Sequence, residues 1–368
     1  MSDKRVLLHG AVNSSNFGDC LFVELFYKAF KEAGGLEPVF LEGKYGISDF
    51  NRRAIGYAHN ETVNDAKSAD ALVYISGGYF GDDSSPIWMS WRRWARYFRI
   101  AGDFVRSGRP IAMAGVGGGP LKSRFTEASI KRVVENAVFV TVRDLGTLEM
   151  FDSFAPGKAR LTNDTALIIE PRDIPPIDCL AVEAMNRDIG KCKYILLHVT
   201  GVEAIDRKMT EMVVPALGSF VSAHSDLAVV VTCDCQFRQR PGAVNRIREI
   251  LQCPIHYYEY HSPRQLCAVI NEASLVVTPK LHVGIVGSAL GRPVASFPAH
   301  PYKTQRFYDG IDEGFRCEPL STIDEKNALK SIKRNFDLPV VVPETARMLA
   351  QKNVSECVSV IVSRLTDA

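Results

Sequence analysis

Short apolar runs alternate with amphipathic segments along most of this chain. Arg5–Gly10, Ala71–Ser76, Pro110–Gly115 and Val138–Arg143 have the length and β-branched content of strands. A helical period runs from Asp19 to Ala33 and stops at Gly34-Gly35, a pair suited to a C-terminal cap. Beyond residue 190 the runs Tyr194–Val199, Leu227–Cys233, Ile255–Tyr257, Leu275–Thr278 and Pro293–Phe297 are again separated by helical patterns. This alternation predicts parallel βα units, and so an α/β chain of two doubly wound, Rossmann-like domains facing a central cleft. The expected boundaries are 1–172 for the first domain and 180–325 for the second. Between them EPRDIPPIDC, with three Pro and no clear period, reads as a linker. Residues 326–368 are expected to form a helical segment packing back across the molecule.

Composition narrows the classes. With 368 residues the chain exceeds the roughly 250–300 at which one core stops growing, which agrees with two domains. Lys and Arg total 44 against 42 acidic residues, too even a balance for nucleic acid to be the main partner. The opening MSDKRVLLHGAV lacks the apolar region of a signal peptide, and no window reaches the ~18 apolar residues of a membrane span. The nine Cys show no paired framework, and the one-residue gap between Cys233 and Cys235 is not a zinc spacing. A cytoplasmic protein with reduced thiols and no metal is expected.

The loops after the strands are where chemistry should collect, because ligands of parallel sheets sit beyond the carboxyl ends of the strands. In NSSNFGDCLF, Gly18 permits a tight turn and Asp19 can cap the next helix or act on a substrate. In GGYFGDD, Gly77 and Gly78 would let the backbone approach a ligand, with Asp82 or Asp83 available to a sugar hydroxyl. AGVGGGPL, from Ala114 to Leu121, has the glycines of a dinucleotide loop, among them Gly117 and Gly118, without a clearly placed acidic partner. The most pointed stretch is VVTPKLHVGIVGSALGRPV. An apolar strand ends there in Lys280 and His282 at the start of a small-residue helix, and Lys303 comes later in HPYKTQRF. Free amides, the helix dipole and the Lys280 ammonium favour an anion at that mouth, and His282 beside it can act as acid or base. The plain alternative is a hydrogen-bonded structural histidine.

Read in order, NFGD, ISGGYFGD, AGVGGGP, VTVRD, NDTAL, PKLHVGIVGSALGRPV and the region around Tyr302 resemble the polysaccharide pyruvyl transferases over nearly the whole span from Asn13 to Phe307. The resemblance implies a GT-B-like fold. It also implies transfer of the pyruvyl group of phosphoenolpyruvate to two hydroxyls of one sugar, forming a cyclic ketal in an exopolysaccharide or capsule of the cell envelope. In the family the helix mouth usually carries Arg-Leu-His, matched here by Lys280, Leu281 and His282. Arg143 stands at the family's VRD-like motif and Lys303 at its late Lys. Two departures stand out: Lys280 replaces a bidentate guanidinium by a point charge, and His198, in LLHVT, falls where a cation is expected.

On this resemblance His282 is the expected general acid and base, with Asp19 assisting. Lys280, Leu281, Arg143, Lys303 and His198 are expected to bind the donor, and Asn16, Gly18, Gly77, Gly78, Asp82, Gly117 and Gly118 the acceptor, the first domain serving the acceptor and the second the donor. No cofactor is implied beyond phosphoenolpyruvate as co-substrate, and the sugar acceptor is expected to be a lipid-linked saccharide. The alternatives are a GT-B glycosyltransferase using a nucleotide-diphosphate sugar, and a sugar-binding relative without catalysis. Finally, Trp88–Arg106 holds all three Trp residues. On one regular helix it would gather Trp91, Trp94, Tyr97, Phe98 and Phe104 opposite Arg92, Arg93, Arg96, Arg99 and Arg106, as a core-facing helix or as a weak peripheral contact with anionic membranes at the inner face.

Overall fold

A computed structural model describes residues 3–58, 62–82, 87–190, 193–234 and 241–367. The chain divides into two compact units: Met1–Ser14 with Asp19–Thr165 and Thr345–Ala368, and Ser15–Gly18 with Ala166–Glu344. The first unit carries β1 (Lys4–His9), β2 (Leu36–Val39), β3 (Ala71–Tyr74), β4 (Gly77–Asp82), β5 (Ile111–Leu121), β6 (Phe139–Val142) and β7 (Arg160–Leu161). They form one sheet in the order β2-β1-β3-β5-β6-β7, with β4 also pairing with β5. The second unit carries β8 (Lys193–Val199), β9 (Leu227–Cys233), β10 (Ile255–Tyr258), β11 (Leu275–Thr278) and β12 (Val294–Ser296), ordered β10-β9-β8-β11-β12.

Every pairing within these sheets is parallel. Parallel strands covered by helices on both faces read as continuous apolar runs. LAVVVTC of β9 and LVVT of β11 are accordingly buried at every position. Each unit closes its own core: Phe80, Phe104, Met113 and Phe151 are buried in the first, and Leu197, Phe220, Val231 and Val277 in the second.

Several expected boundaries move. The stretch read as a linker contains a turn at Pro171–Asp173 and then a helix, Pro176–Ile189, because Pro is tolerated in a helix's first turn, where its missing N–H costs nothing. The C-terminal segment is divided: Glu325–Phe336 packs into the second unit's core through Ala328 and Ile332, whereas Glu344–Thr366 belongs largely to the first. A buried polar cluster ties that last helix in. Asn353 Nδ2 donates to Thr165 Oγ1 at 3.4 Å, the Thr141 hydroxyl donates to Asn353 Oδ1, and the hydroxyls of Ser76 and Thr165 share a bond of 2.6 Å.

The glycine-rich stretches are strands, not loops. GGYFGD is β4 and AGVGGGPL is the second half of β5, paired with each other. A Cβ on Gly81 would lie 2.4 Å from the Gly119 amide nitrogen, so the close approach these glycines permit is between two backbones of the same sheet.

Candidate active site

The second unit's chemistry is built on the carboxyl ends of β8, β9 and β11. His198 lies near the end of β8 and is fully buried; Asp234 comes directly after β9; Lys280 occupies the N-cap position of the Leu281–Ala289 helix after β11. Asp234 Oδ1 lies 3.4 Å from Lys280 Nζ and 3.2 Å from His198 Nε2. The Asp234 amide donates to His198 Nε2 at 3.0 Å, so that nitrogen presents a lone pair and cannot also donate to the carboxylate. The directed amide bond is the better description, and it makes Lys280 the cation that balances Asp234. Burial pushes the Asp234 carboxyl up, but the Lys280 ammonium more than offsets this and holds it well below the usual carboxylate range.

Lys280 has no side-chain cap hydrogen bond; its amide is taken by Thr278 Oγ1 at 3.0 Å, and its carbonyl accepts the first helical bond, from Gly284, at 3.3 Å. The helix therefore starts with its first amides directed out of the mouth, where they and the dipole favour an anion. Lys280 is half-buried, its side chain 27% exposed against 5% for Asp234, so its ammonium reaches solvent while its partner does not. His282 occupies the second position of the helix and is half-buried. Its ring fills the space above Gly18, where a Cβ would stand 1.9 Å from Nδ1.

Ser15–Gly18 counts with this second unit, and the Phe17 amide donates to the Asp234 carbonyl at 3.0 Å. The expected loop around Asn16 and Gly18 thus lies against the same Asp234 and His282, and Gly18 is used for close packing with an imidazole rather than for a turn. Asp19 is not an N-cap, because the helix already begins at Phe17; it sits in the first turn, where a negative charge suits the dipole.

The remaining expected residues are placed differently. Lys303 is exposed on the first turn of the Pro301–Asp309 helix of the second unit. Arg143 belongs to the first unit and is almost completely buried, with Nη1 2.7 Å from Asp164 Oδ2 and side-chain exposures of 7% and 5%. Gly117 makes room for that guanidinium, since a Cβ there would lie 2.8 Å from Arg143 Nε; Gly118 makes room for Met150 and the Phe80 carbonyl. Gly77, at φ +155°, faces the ring of Tyr79 at 2.5 Å from a notional Cβ, so its open side is filled by its own chain. Gly78 lies in β4 beside it; the side chain of Asp82, and Asp83 and Cys235 entirely, lie outside the described residues. His198, expected as a donor ligand, is fully buried and bound to backbone, because it closes the end of β8 under Asp234.

The sequence reading singled out neither Asp234 nor Asp164. The first had a signal: a lone acidic residue straight after LAVVVTC, at the carboxyl end of an apolar strand. The second sits inside NDTAL, where nothing in the local pattern distinguishes an ion-pair partner from a turn residue.

Two parallel α/β units and an anion-receptive helix mouth in the second define a protein of GT-B-like fold. Residues 16–301 match the model of the polysaccharide pyruvyl transferase family, and the chain belongs to that family, transferases acting on polysaccharides. No curated protein matches it by sequence. Among solved structures it resembles a putative UDP-N-acetylglucosamine 2-epimerase from Listeria monocytogenes (TM-score 0.65, 13% identity, covering 100% of this chain and 98% of that one). It also resembles UDP-GlcNAc 2-epimerase from Neisseria meningitidis bound to UDP-GlcNAc (TM-score 0.64, 11% identity, 100% of both chains). A third is UDP-GlcNAc 2-epimerase from Methanocaldococcus jannaschii (TM-score 0.62, 10% identity, 100% of both chains). At these identities the likeness is one of fold.

Proposed function

We propose that this protein transfers the pyruvyl group of phosphoenolpyruvate to two hydroxyls of a sugar within a saccharide acceptor, forming a cyclic ketal and releasing phosphate. The observation that carries the reading is the Lys280–Asp234–His198 cluster at the mouth of the Leu281–Ala289 helix, with the His282 ring beside it against Gly18. The phosphate or carboxylate of the donor is held at the positive end of the helix dipole and by the Lys280 ammonium, and Asp234 fixes that ammonium in place. Phosphoenolpyruvate accepts a proton on its methylene carbon, its central carbon becomes electrophilic, and a sugar hydroxyl adds to it. Departure of phosphate allows the second hydroxyl to close the ring. Two hydroxyl protons are lost in total: one replaces the proton given to the methylene and the other leaves with the phosphate. His282 is the acid and base.

Donor preference tests the reading. Phosphoenolpyruvate should raise the melting temperature, and the rise should disappear in Lys280→Ala. Stabilisation by UDP with none by phosphoenolpyruvate would instead make the protein a nucleotide-sugar enzyme. Saccharide-dependent release of phosphate from phosphoenolpyruvate, with the product sugar gaining a pyruvate ketal in its mass, completes the test.

A further inference from the structure

The first unit holds a groove of about 930 Å³ that takes no part in the Lys280–His282 site. Its walls are the end of β1 and the chain beyond β2, the 64–67 turn, the Trp94–Arg106 segment and the Phe125–Val133 face of a helix. Among the described residues it is lined by six cations, Lys44, Lys67, Arg96, Arg99, Arg106 and Arg132, against three carboxylates. One carboxylate, Asp103, is taken by Arg106, and a second, Asp65, caps its own turn by accepting from the Lys67 amide at 3.1 Å. The ion pairs among the described residues leave Lys44, Lys67, Arg99 and Arg132 without a carboxylate, so the groove is positive in its unspent charge. Trp94 and Phe125 add aromatic faces, their rings 6.0 Å apart.

A second observation concerns the floor. His9 lines the groove, is 2% exposed, and its Nε2 is buried without a hydrogen-bond partner. Burial lowers its pKa and hydrogen bonds with the backbone of Arg96 and Tyr97 work against that, leaving it at about 4. The ring is neutral near pH 7, and its Nε2 is a buried polar atom with nothing to meet it. A buried polar atom left unmet is costly unless a partner reaches it. Arg96 is similarly placed, its Nε buried and unpartnered beside the aromatic stack of Tyr97 on Tyr79. The groove wall at Trp94–Phe98 is a π-helical turn, a rare backbone form that collects at binding sites.

Cations, aromatic faces and an unmet polar nitrogen in one groove match one chemical class. We propose that the first unit has a separate binding site for an anionic saccharide, in which a sugar ring lies on Trp94 and Phe125, one hydroxyl meets His9 Nε2, and a phosphate or carboxylate of the same molecule is held by Arg99, Arg132 and Lys67. The groove is built from the first unit alone, and its test contains no phosphoenolpyruvate, so it can fail or succeed independently of the pyruvyl-transfer reading.

All three Trp residues lie between Trp88 and Trp94, so intrinsic fluorescence reports on this wall directly. Titration with a hexose 1-phosphate should give saturable quenching. Lys67→Ala with Arg132→Ala, both exposed and remote from the core, should weaken it about tenfold or more, and raising the salt from 50 to 200 mM should weaken it as well. His9→Gln, which keeps a polar atom at the position, should bind the neutral hexose less weakly than His9→Leu, and equal binding by both variants and wild type removes His9 from the site. Inorganic phosphate that binds as tightly as the sugar phosphate would overturn the saccharide reading. So would quenching by anionic phospholipid vesicles without any by the sugar phosphate, or a double variant that binds like wild type.

Discussion

The ion pairs Arg143–Asp164 and Lys280–Asp234 use the same attraction for opposite ends. In the first unit Arg143 and Asp164 are both almost wholly buried, 2.7 Å apart, with Gly117 cleared to admit the guanidinium. In the second, Asp234 is as deeply buried as Asp164, but Lys280 is 27% exposed and stands 3.4 Å away at a helix mouth. A pair buried on both sides has spent its charge on geometry, and removing one partner leaves the other stranded. A pair buried on one side only holds a cation in place and still presents it. By this contrast the Arg143–Asp164 pair is closed off from solvent on both sides, whereas the Lys280–Asp234 pair leaves its ammonium open.

The comparison predicts that variants of the second unit will lose activity and those of the first will lose stability. The largest effect is expected from His282→Ala, which should lower kcat by ~10²–10⁴ with little change in melting temperature. A drop of less than about tenfold would remove His282 as acid and base. Next comes Arg143→Ala, expected to cost about 3–5 kcal/mol, a fall in melting temperature on the order of 10 °C. A stable Arg143→Ala protein that has merely lost affinity for phosphoenolpyruvate would reverse the contrast, returning Arg143 to the donor site.

Gly18→Ala is the sharper probe of the second unit. Its Cβ would stand 1.9 Å from His282 Nδ1, so the ring must move. Activity should fall toward that of His282→Ala, whereas a turn-forming role alone would leave the rate nearly intact. Asp234→Asn should raise the Michaelis constant for phosphoenolpyruvate several-fold by loosening Lys280. It should also change acid stability. A carboxyl whose folded pKa lies below its unfolded value of about 3.9 contributes stability present above that value and lost as pH falls through the folded one. Below about pH 4 the wild type should thus lose stability that Asp234→Asn does not lose, read as a converging pair of melting curves.

The smallest effect concerns the Trp-rich segment. The expected single helix is instead Ile87–Arg93, a π-helical turn at Trp94–Phe98 and a separate helix at Ala101–Ser107. The extra residue in the turn rotates the segment after it relative to the one before, so Trp88 and Trp91 are 53% and 55% exposed while Tyr97 and Phe98 are core, and Arg96 is bonded to Asn13 rather than solvated. Sedimentation with anionic vesicles at low salt should show weak binding that Trp88→Ser with Arg92→Gln diminishes; equal binding by both proteins, or none by either, removes a membrane contact through this segment.

Local periodicity was enough for β1, β3, the first half of β5, β6 and the five strands of the second unit, for their parallel class and for the strand–Lys–x–His–helix junction at 276–290, but not for β2, β4 or β7. These were legible because a strand buried on two faces must be apolar throughout, and a helix of small residues has a definite start. The motif order was enough to indicate the family. Which polar groups meet was settled by the packed fold. Asp234 is 46 residues from Lys280 in the chain and 36 from His198, and Asp164 is 21 from Arg143; ion pairs at such separations leave no mark on local pattern. The glycines show the same limit. Gly77, Gly117 and Gly118 read as ligand loops because absence of a side chain signals close approach, but only the packed molecule says what approaches, and here it is Tyr79, Arg143 and Met150. The buried, unpartnered nitrogen of His9 is likewise a property of its surroundings, set by what the fold leaves out of hydrogen-bonding reach.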